Sequence, residues 1–213
     1  MASPQTQPRL GALELLGDLH PLLAQLGAVD GLVTLQSAVA SLQLPPLADR
    51  PALRAFLGHY RDRLLLPVEF PAIRQAWHHA GRREARELIA LDTALSADPR
   101  LAHWAAASRR VGGAQLQQLR PLRDERVVQR YLAAVETGAA HGWHTLVYGL
   151  TLSVYSLPLR QGLLGYAHQS LDGFLHAAGR ALRLDAGEVE SLFNEAAGEV
   201  PAAIDRLLQP AAA

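Results

Sequence analysis

The segment from His141 to Arg183 constrains the fold of this chain more than any other. It contains two consecutive runs that are hydrophobic around nearly the whole circumference of a helix, with Pro158 between them. A surface helix of a globular protein carries polar residues on one side, so helices that lack a polar side must be enclosed by other elements. The segment therefore predicts the buried centre of an all-helical protein.

The rest of the chain also shows helical periodicity. Apolar residues recur every three or four positions, and no segment alternates apolar and polar residues as a half-buried strand would. The sequence predicts an all-α fold, a single-domain orthogonal bundle of about nine to ten helices. The domain is expected to span residues 9–208, with a disordered N-terminus at 1–8 and a disordered tail at 209–213.

Local signals predict where several helices begin and end. Asp49 and Asp98 each precede a proline near a first helical turn, and Asp98 is expected to open a helix that continues to Leu119. Asp185 and Glu188 have the spacing of a capping box. Pro67 predicts a break before a helix that ends at Gly81. A further break or bend is expected at Pro201.

Composition excludes several classes of function. The 213 residues carry 20 basic and 20 acidic side chains, without the basic excess that is typical of nucleic-acid-binding proteins. There are 0 cysteines, which removes disulfides, thiolate nucleophiles and cysteine-based metal sites. The N-terminal segment lacks the pattern of a signal peptide and no apolar run is long enough to cross a bilayer, so we expect a cytoplasmic protein.

Two histidines are the strongest candidates for a metal site, since the adjacent pair His78-His79 points in different directions on a helix. His141 and His144 are three residues apart, which places both on one side of a helix. No carboxylate stands at a fixed offset to complete a ligand set, and the alternative is that both are structural residues at the start of a helix. No nucleophile elbow or phosphate-binding loop occurs: Gly112-Gly113 lacks the lysine of a P-loop and instead predicts close packing against another helix. The sequence thus predicts no enzyme.

Glycine, polar and aromatic residues stand along the chain in a defined order. They are Leu15-Leu16-x-Asp18-x-x-Pro21, Gly31-Leu32, Asp92, Leu95, Ala107-Ser108-x-x-Val111-Gly112, His144-Thr-Leu-Val-Tyr-Gly149, Leu163 and Tyr166. This order resembles the motifs of the urease accessory protein UreF family. The resemblance extends from about Leu13 to about Leu208.

The resemblance implies a non-enzymatic, all-helical chaperone that usually forms a homodimer. Such a protein joins a nickel-binding GTPase and a second urease accessory scaffold protein, and the assembly loads nickel into apo-urease. It would bind no cofactor directly, because nickel is handled by the partner proteins. The residues that the resemblance marks for partner binding are Pro21, Gly31, Leu32, Ser108, Gly112, His144, Gly149, Tyr166 and Asp185.

The chain departs from the family pattern at segments that are expected to meet partners. Leu22–Gly27 replaces a Gly-Gly-Phe-Ser run, Val33 replaces a glutamate, and Arg183–Ala186 replaces a Pro-Leu-Gly-Gln motif. These departures leave two alternatives open: a helical interaction scaffold of the same fold with a non-urease partner, and a small metal-binding protein that uses His141 and His144.

Overall fold

The structure is a computed structural model and describes residues 29–209. The predicted helix at Leu13–Leu23, the motif residue Pro21, the predicted disordered N-terminus 1–8 and all but the first residue of the predicted tail 209–213 lie outside the described residues. The α-helices of the described part are α1 (Val29–Ser41), α2 (Arg50–Tyr60), α3 (Phe70–Gly81), α4 (Ala85–Ser96), α5 (Ala105–Gln118), α6 (Arg126–Glu136), α7 (His144–Val154), α8 (Leu159–Leu182), α9 (Ala186–Ala197) and α10 (Val200–Leu208).

The predicted all-α class is confirmed, since residues 29–209 contain helices and no strand. Ten α-helical segments lie within residues 29–209. The number of separate helices is slightly lower, because α2 continues without a break through a π-helical segment, Arg61–Glu69, into α3. No helix among these residues is long and apolar enough to span a membrane.

The break predicted at Pro67 is wrong. Pro67 lies inside the π-helical segment, and the helix continues past it. In an α-helix the proline ring clashes with the carbonyl four residues earlier. The wider turn of a π-helix relieves that clash, so the chain continues here instead of ending.

The predicted buried centre is confirmed in α7. Every residue of the helix from His144 to Leu152 is buried. The helix packs mainly against α3 and α5, while α8 packs against α1, α9 and α10. Contact between α3 and α7 is backbone to backbone: a Cβ atom added to Gly149 would lie 2.5 Å from the carbonyl oxygen of Ile73.

The helix-end predictions have mixed outcomes. Asp49 caps α2, because its Oδ1 accepts a hydrogen bond from Ala52 N at 2.8 Å. The capping box of α9 is present, with both reciprocal bonds between Asp185 and Glu188. The break expected at Pro201 occurs a few residues earlier, since α9 ends at Ala197 and Pro201 lies in the first turn of α10, which begins at Val200.

The predicted start of a helix at Asp98 is wrong. Asp98 caps only a 3-10 turn, Pro99–Leu101, and α5 begins later, at Ala105. Asp98 accepts the backbone N–H of Arg100 at 2.9 Å, which holds the tight turn. The turn allows both Leu101 and Trp104 to enter the core, where each is about 3% exposed.

Candidate functional site

A cluster of buried polar groups lies at the start of α7, around the loop 137–143. Asp92 of α4 is fully buried there. Its carboxylate accepts hydrogen bonds from the Tyr131 hydroxyl at 2.6 Å, His141 N at 2.7 Å and Gly142 N at 2.9 Å. One buried side chain thus holds the loop from α4 and ties it to α6.

This arrangement supplies a cap that the local sequence of α7 lacks. The first N–H groups of a helix have no partner within the helix and need an acceptor. Trp143 stands at the N-cap position and its side chain makes no capping bond. Instead, Ser108 Oγ of α5 accepts a hydrogen bond from His144 N at 3.1 Å, and Asp92 Oδ2 lies 3.5 Å from Trp143 N. A carboxylate at this position also interacts favourably with the positive end of the helix dipole.

Two glycines allow the backbones of α5 and the loop to meet. Gly142 has a φ of 72°, a left-handed conformation that glycine adopts at little cost. A Cβ added to Gly112 would lie 2.7 Å from His144 N and closer still to Gly142 O. The close packing predicted at Gly112 is therefore confirmed, although its partner is mainly the loop and the first residue of α7. Gly113 has nothing within 4 Å of its added Cβ, so the prediction does not hold there.

The indole ring of Trp143 closes the arrangement. Its Nε1 donates to Ser96 Oγ at 2.8 Å, and the Arg109 guanidinium lies over the ring with its Cζ 5.2 Å from the ring centroid. Arg109 also donates to Ser96 Oγ at 3.3 Å. We call the set Asp92, Ser96, Ser108 and Gly112, which together hold loop 137–143, the loop clamp.

His144 and Tyr166 lie in the core next to the loop clamp. Their rings are stacked with centroids 5.7 Å apart, and both side chains are buried. Burial lowers the pKa of His144 to about 3, so the ring is neutral at physiological pH. Burial likewise raises the pKa of Tyr166 well above its ordinary value.

The two histidines of the metal alternative have different surroundings. His144 is buried, whereas His141 is exposed and only its backbone N–H is held, by Asp92. Residues 29–209 contain no group of three or more His, Cys, Asp or Glu side chains that could hold a metal ion. The site therefore has the geometry of a structural junction, with one histidine displayed on its surface.

The other residues marked for partner binding are dispersed. Gly149 lies at the α3–α7 contact, and Asp185 is exposed at the start of α9. Gly31 and Leu32 lie in α1. The structure brings together Ser108, Gly112, His144 and Tyr166, all of them buried; whether any marked residue contacts a partner stays a prediction.

Sequence reasoning missed Tyr131, Trp143 and Arg109 as members of this region. A signal was available in α4, where Asp92 follows Leu88 by one helical turn and so interrupts an apolar stripe. A carboxylate on an apolar stripe is either exposed by a local irregularity or held by buried donors. The donors come from segments about 40 to 50 residues distant, which spacing along the chain does not reveal.

We expect Ser108→Ala to lower the free energy of unfolding by about 1–2 kcal/mol, because the substitution removes the acceptor of a buried helix N-terminal N–H group. Urea unfolding followed by circular dichroism measures the change. The matched control is Ser191→Ala, on the exposed face of α9, which should stay within about 0.5 kcal/mol of the unmodified protein. Equal effects of the two substitutions would contradict the capping role of Ser108.

Comparison with known families identifies one match. The family model named UreF matches residues 47–197 of the chain, which includes the whole loop clamp. No curated protein sequence matches the chain.

Proposed function

The chain belongs to the urease accessory protein UreF family, and we propose that it acts as a non-enzymatic chaperone in urease maturation. In this proposal it joins a nickel-binding GTPase and a second accessory scaffold protein, as a homodimer, and the assembly delivers nickel to apo-urease. The observation that carries the proposal is the family match over residues 47–197.

The loop clamp supports a role in protein contacts. The polar side chains of the loop clamp form their hydrogen bonds within the chain, so they hold loop 137–143 in one conformation. The exposed side chains of this loop are not used in these bonds. Thr137, Gly138, Ala139 and His141 are exposed while Ala140 and Trp143 are buried. A rigid, exposed loop pays less conformational entropy on binding than a mobile one. We propose that this loop is part of the surface that meets a partner.

The test is capture of partners by the full chain. Affinity-tagged protein is co-expressed with the nickel-binding GTPase, the second scaffold protein and the urease subunits, and the purified complex is analysed by mass spectrometry and light scattering. We expect the partners to co-purify with a dimer of the chain. His141→Ala should weaken capture about tenfold, the loss of one well-placed side chain in an interface.

The matched control is His176→Ala, which removes an exposed histidine of α8. Capture should be unchanged in this variant. Recovery of neither the GTPase nor the urease subunits with the unmodified chain would contradict the urease proposal. Recovery that is equal for both histidine variants would contradict the proposed role of the loop while leaving the family role in place.

A second candidate function is a helical scaffold with a different partner. The observation that favours it is the junction between α8 and α9. Arg183 ends α8 in a left-handed conformation, with a φ of 57°, and Asp185 then caps α9. The junction thus has its own stop and start signals where family members carry Pro-Leu-Gly-Gln. Capture of a non-urease protein from the native lysate, with no urease gene near the gene for this chain, would favour this alternative.

A further inference from the structure

Glu69 is a buried carboxyl group that the loop clamp does not use. It is the last residue of the π-helical segment and is 2% exposed. Its Oε2 accepts a hydrogen bond from the Tyr60 hydroxyl at 2.6 Å. Its Oε1 is buried and has no hydrogen-bond partner within residues 29–209. A buried carboxylate oxygen without a donor is costly, so the group has a physical reason to keep a proton.

The Glu69 side chain lines a small cavity whose size is close to that of one water molecule. The wall comes from the π-helical segment, α3, α4, the 3-10 turn, α5 and the start of α7. Its lining residues are Val68, Glu69, Ala72, Leu95, Leu101, Trp104, Ser108, Trp143 and Thr145. The cavity is too small for an organic ligand. Ser108 belongs to the loop clamp and Trp143 to loop 137–143, so Glu69 and the loop-clamp region border the same cavity.

The charge environment of Glu69 contains little that would stabilise its ionised form. Burial raises the pKa of Glu69 to about 7, and the hydroxyls of Tyr60 on α2 and Tyr166 on α8 offset only part of that effect. Both tyrosines are themselves neutral, since burial raises the pKa of each. Beyond Tyr166 lie the rings of Tyr148 and His144 of α7, which burial also keeps neutral. Glu69 is the one ionisable residue among those that line the cavity.

We propose that Glu69 and this cavity form a buried proton switch. With the proton bound, the neutral acid keeps the π-helical segment packed against Trp104 and Trp143. Loss of the proton places a negative charge in the cavity, draws solvent toward Oε1 and loosens the contact between the π-helical segment and the start of α7. The site binds a proton. When the proton is released to solvent, water hydrates the ionised carboxylate.

The direction of the pH effect follows from the two states of the chain. An unfolded glutamate titrates at its ordinary value of about 4.5, so the unfolded chain loses this proton first as pH rises. The Glu69 contribution to stability is therefore full at pH values below 4.5 and declines as pH rises through 7. Burial lowers the pKa of His144 in the folded chain, so the contribution of His144 to stability is lost as pH falls. This contribution is the same in the unmodified chain and in a Glu69 variant, so it cancels when the two are compared.

The first test compares Glu69→Gln, which has the shape of the neutral acid, with the unmodified chain by urea unfolding from pH 5 to pH 8.5. We expect the unfolding equilibrium constant of the unmodified chain to rise by about 100-fold more than that of Glu69→Gln over this range. The matched control, Glu87→Gln, removes an exposed carboxylate of α4 and should follow the unmodified chain. Parallel pH profiles for Glu69→Gln and the unmodified chain would overturn the proposal.

The second test observes the folded state. Trp104 and Trp143 line the cavity, so tryptophan fluorescence of the unmodified chain should show a transition with a midpoint near pH 7, and this transition should be absent in Glu69→Gln. Tyr60→Phe removes a donor that favours the ionised form, so its midpoint should move to higher pH. An infrared difference spectrum should show the carbonyl band of a neutral carboxylic acid at pH 5 that Glu69→Gln lacks. Fluorescence that is independent of pH in the unmodified chain, or an equal titration in Glu69→Gln, would overturn the switch.

Discussion

Replacing Asp92 with alanine is expected to lower the free energy of unfolding by about 3–5 kcal/mol, the largest single effect we predict. The Asp92 carboxylate is fully buried and accepts hydrogen bonds from Tyr131 Oη, His141 N and Gly142 N. The substitution leaves three donors without their acceptor, and those of Tyr131 and Gly142 are buried. The cost of such groups, rather than the modest net value of each bond, sets the size of the effect.

Urea unfolding followed by far-ultraviolet circular dichroism measures the loss. Asp124→Ala, at an exposed position between α5 and α6, is the matched control and should stay within about 0.5 kcal/mol of the unmodified chain. Tyr131→Phe removes only one of the donors together with its hydrogen bond, so it should cost clearly less than Asp92→Ala. A small effect of Asp92→Ala would mean that the loop finds other acceptors, and the loop clamp would then lose its central member.

Gly112→Leu is expected to destabilise the protein by about 3 kcal/mol or more, at or above the upper end of the usual cost of overpacking. The atoms that a Cβ would meet are backbone atoms of Gly142 and His144, which cannot rotate away as a flexible side chain can. Moving them apart would also lengthen the hydrogen bond between His144 N and Ser108 Oγ.

Gly113→Ala is the neighbouring control. A Cβ at Gly113 has nothing within 4 Å, and alanine is favoured over glycine within a helix by about 1 kcal/mol. We therefore expect adjacent glycines of one helix to respond in opposite directions, with Gly113→Ala raising the thermal unfolding midpoint and Gly112→Leu lowering it. Equal responses of the two variants would show that α5 does not meet the loop closely at Gly112.

The local helix signals varied in reliability for physical reasons. Asp49 and Asp185 each accept the N–H group three residues further along the chain, so a short stretch of sequence contains everything that decides these caps. The break at Pro67 was predicted from the α-helical effect of proline, and the π-helical turn removes that effect. The start predicted at Asp98 was wrong because burial of Leu101 and Trp104 favours a short turn before α5.

In the candidate site, too, local features could be predicted and contacts between distant segments could not. Gly112, Ser108 and His144 were identified as motif residues, and Asp92 was noted with them, because the resemblance depends on order along the chain. The sequence did not predict that these residues together hold one loop, because the hydrogen bonds between them and the loop connect residues separated by 36 to 50 positions. Glu69 was one scattered carboxylate in the sequence, and only its enclosure beside a cavity gives it chemical interest.

The helical class, the buried position of α7 and the family could all be predicted from the sequence, because periodicity, apolar content and motif order are properties of neighbouring residues. Three features depend on the packing of distant segments: Asp92 and Ser108 cap α7 from other helices, Gly112 and not Gly113 meets the loop, and Oε1 of Glu69 lacks a donor within residues 29–209. Spacing along the chain does not reveal them, since burial and hydrogen-bond satisfaction are set by which distant segments pack together.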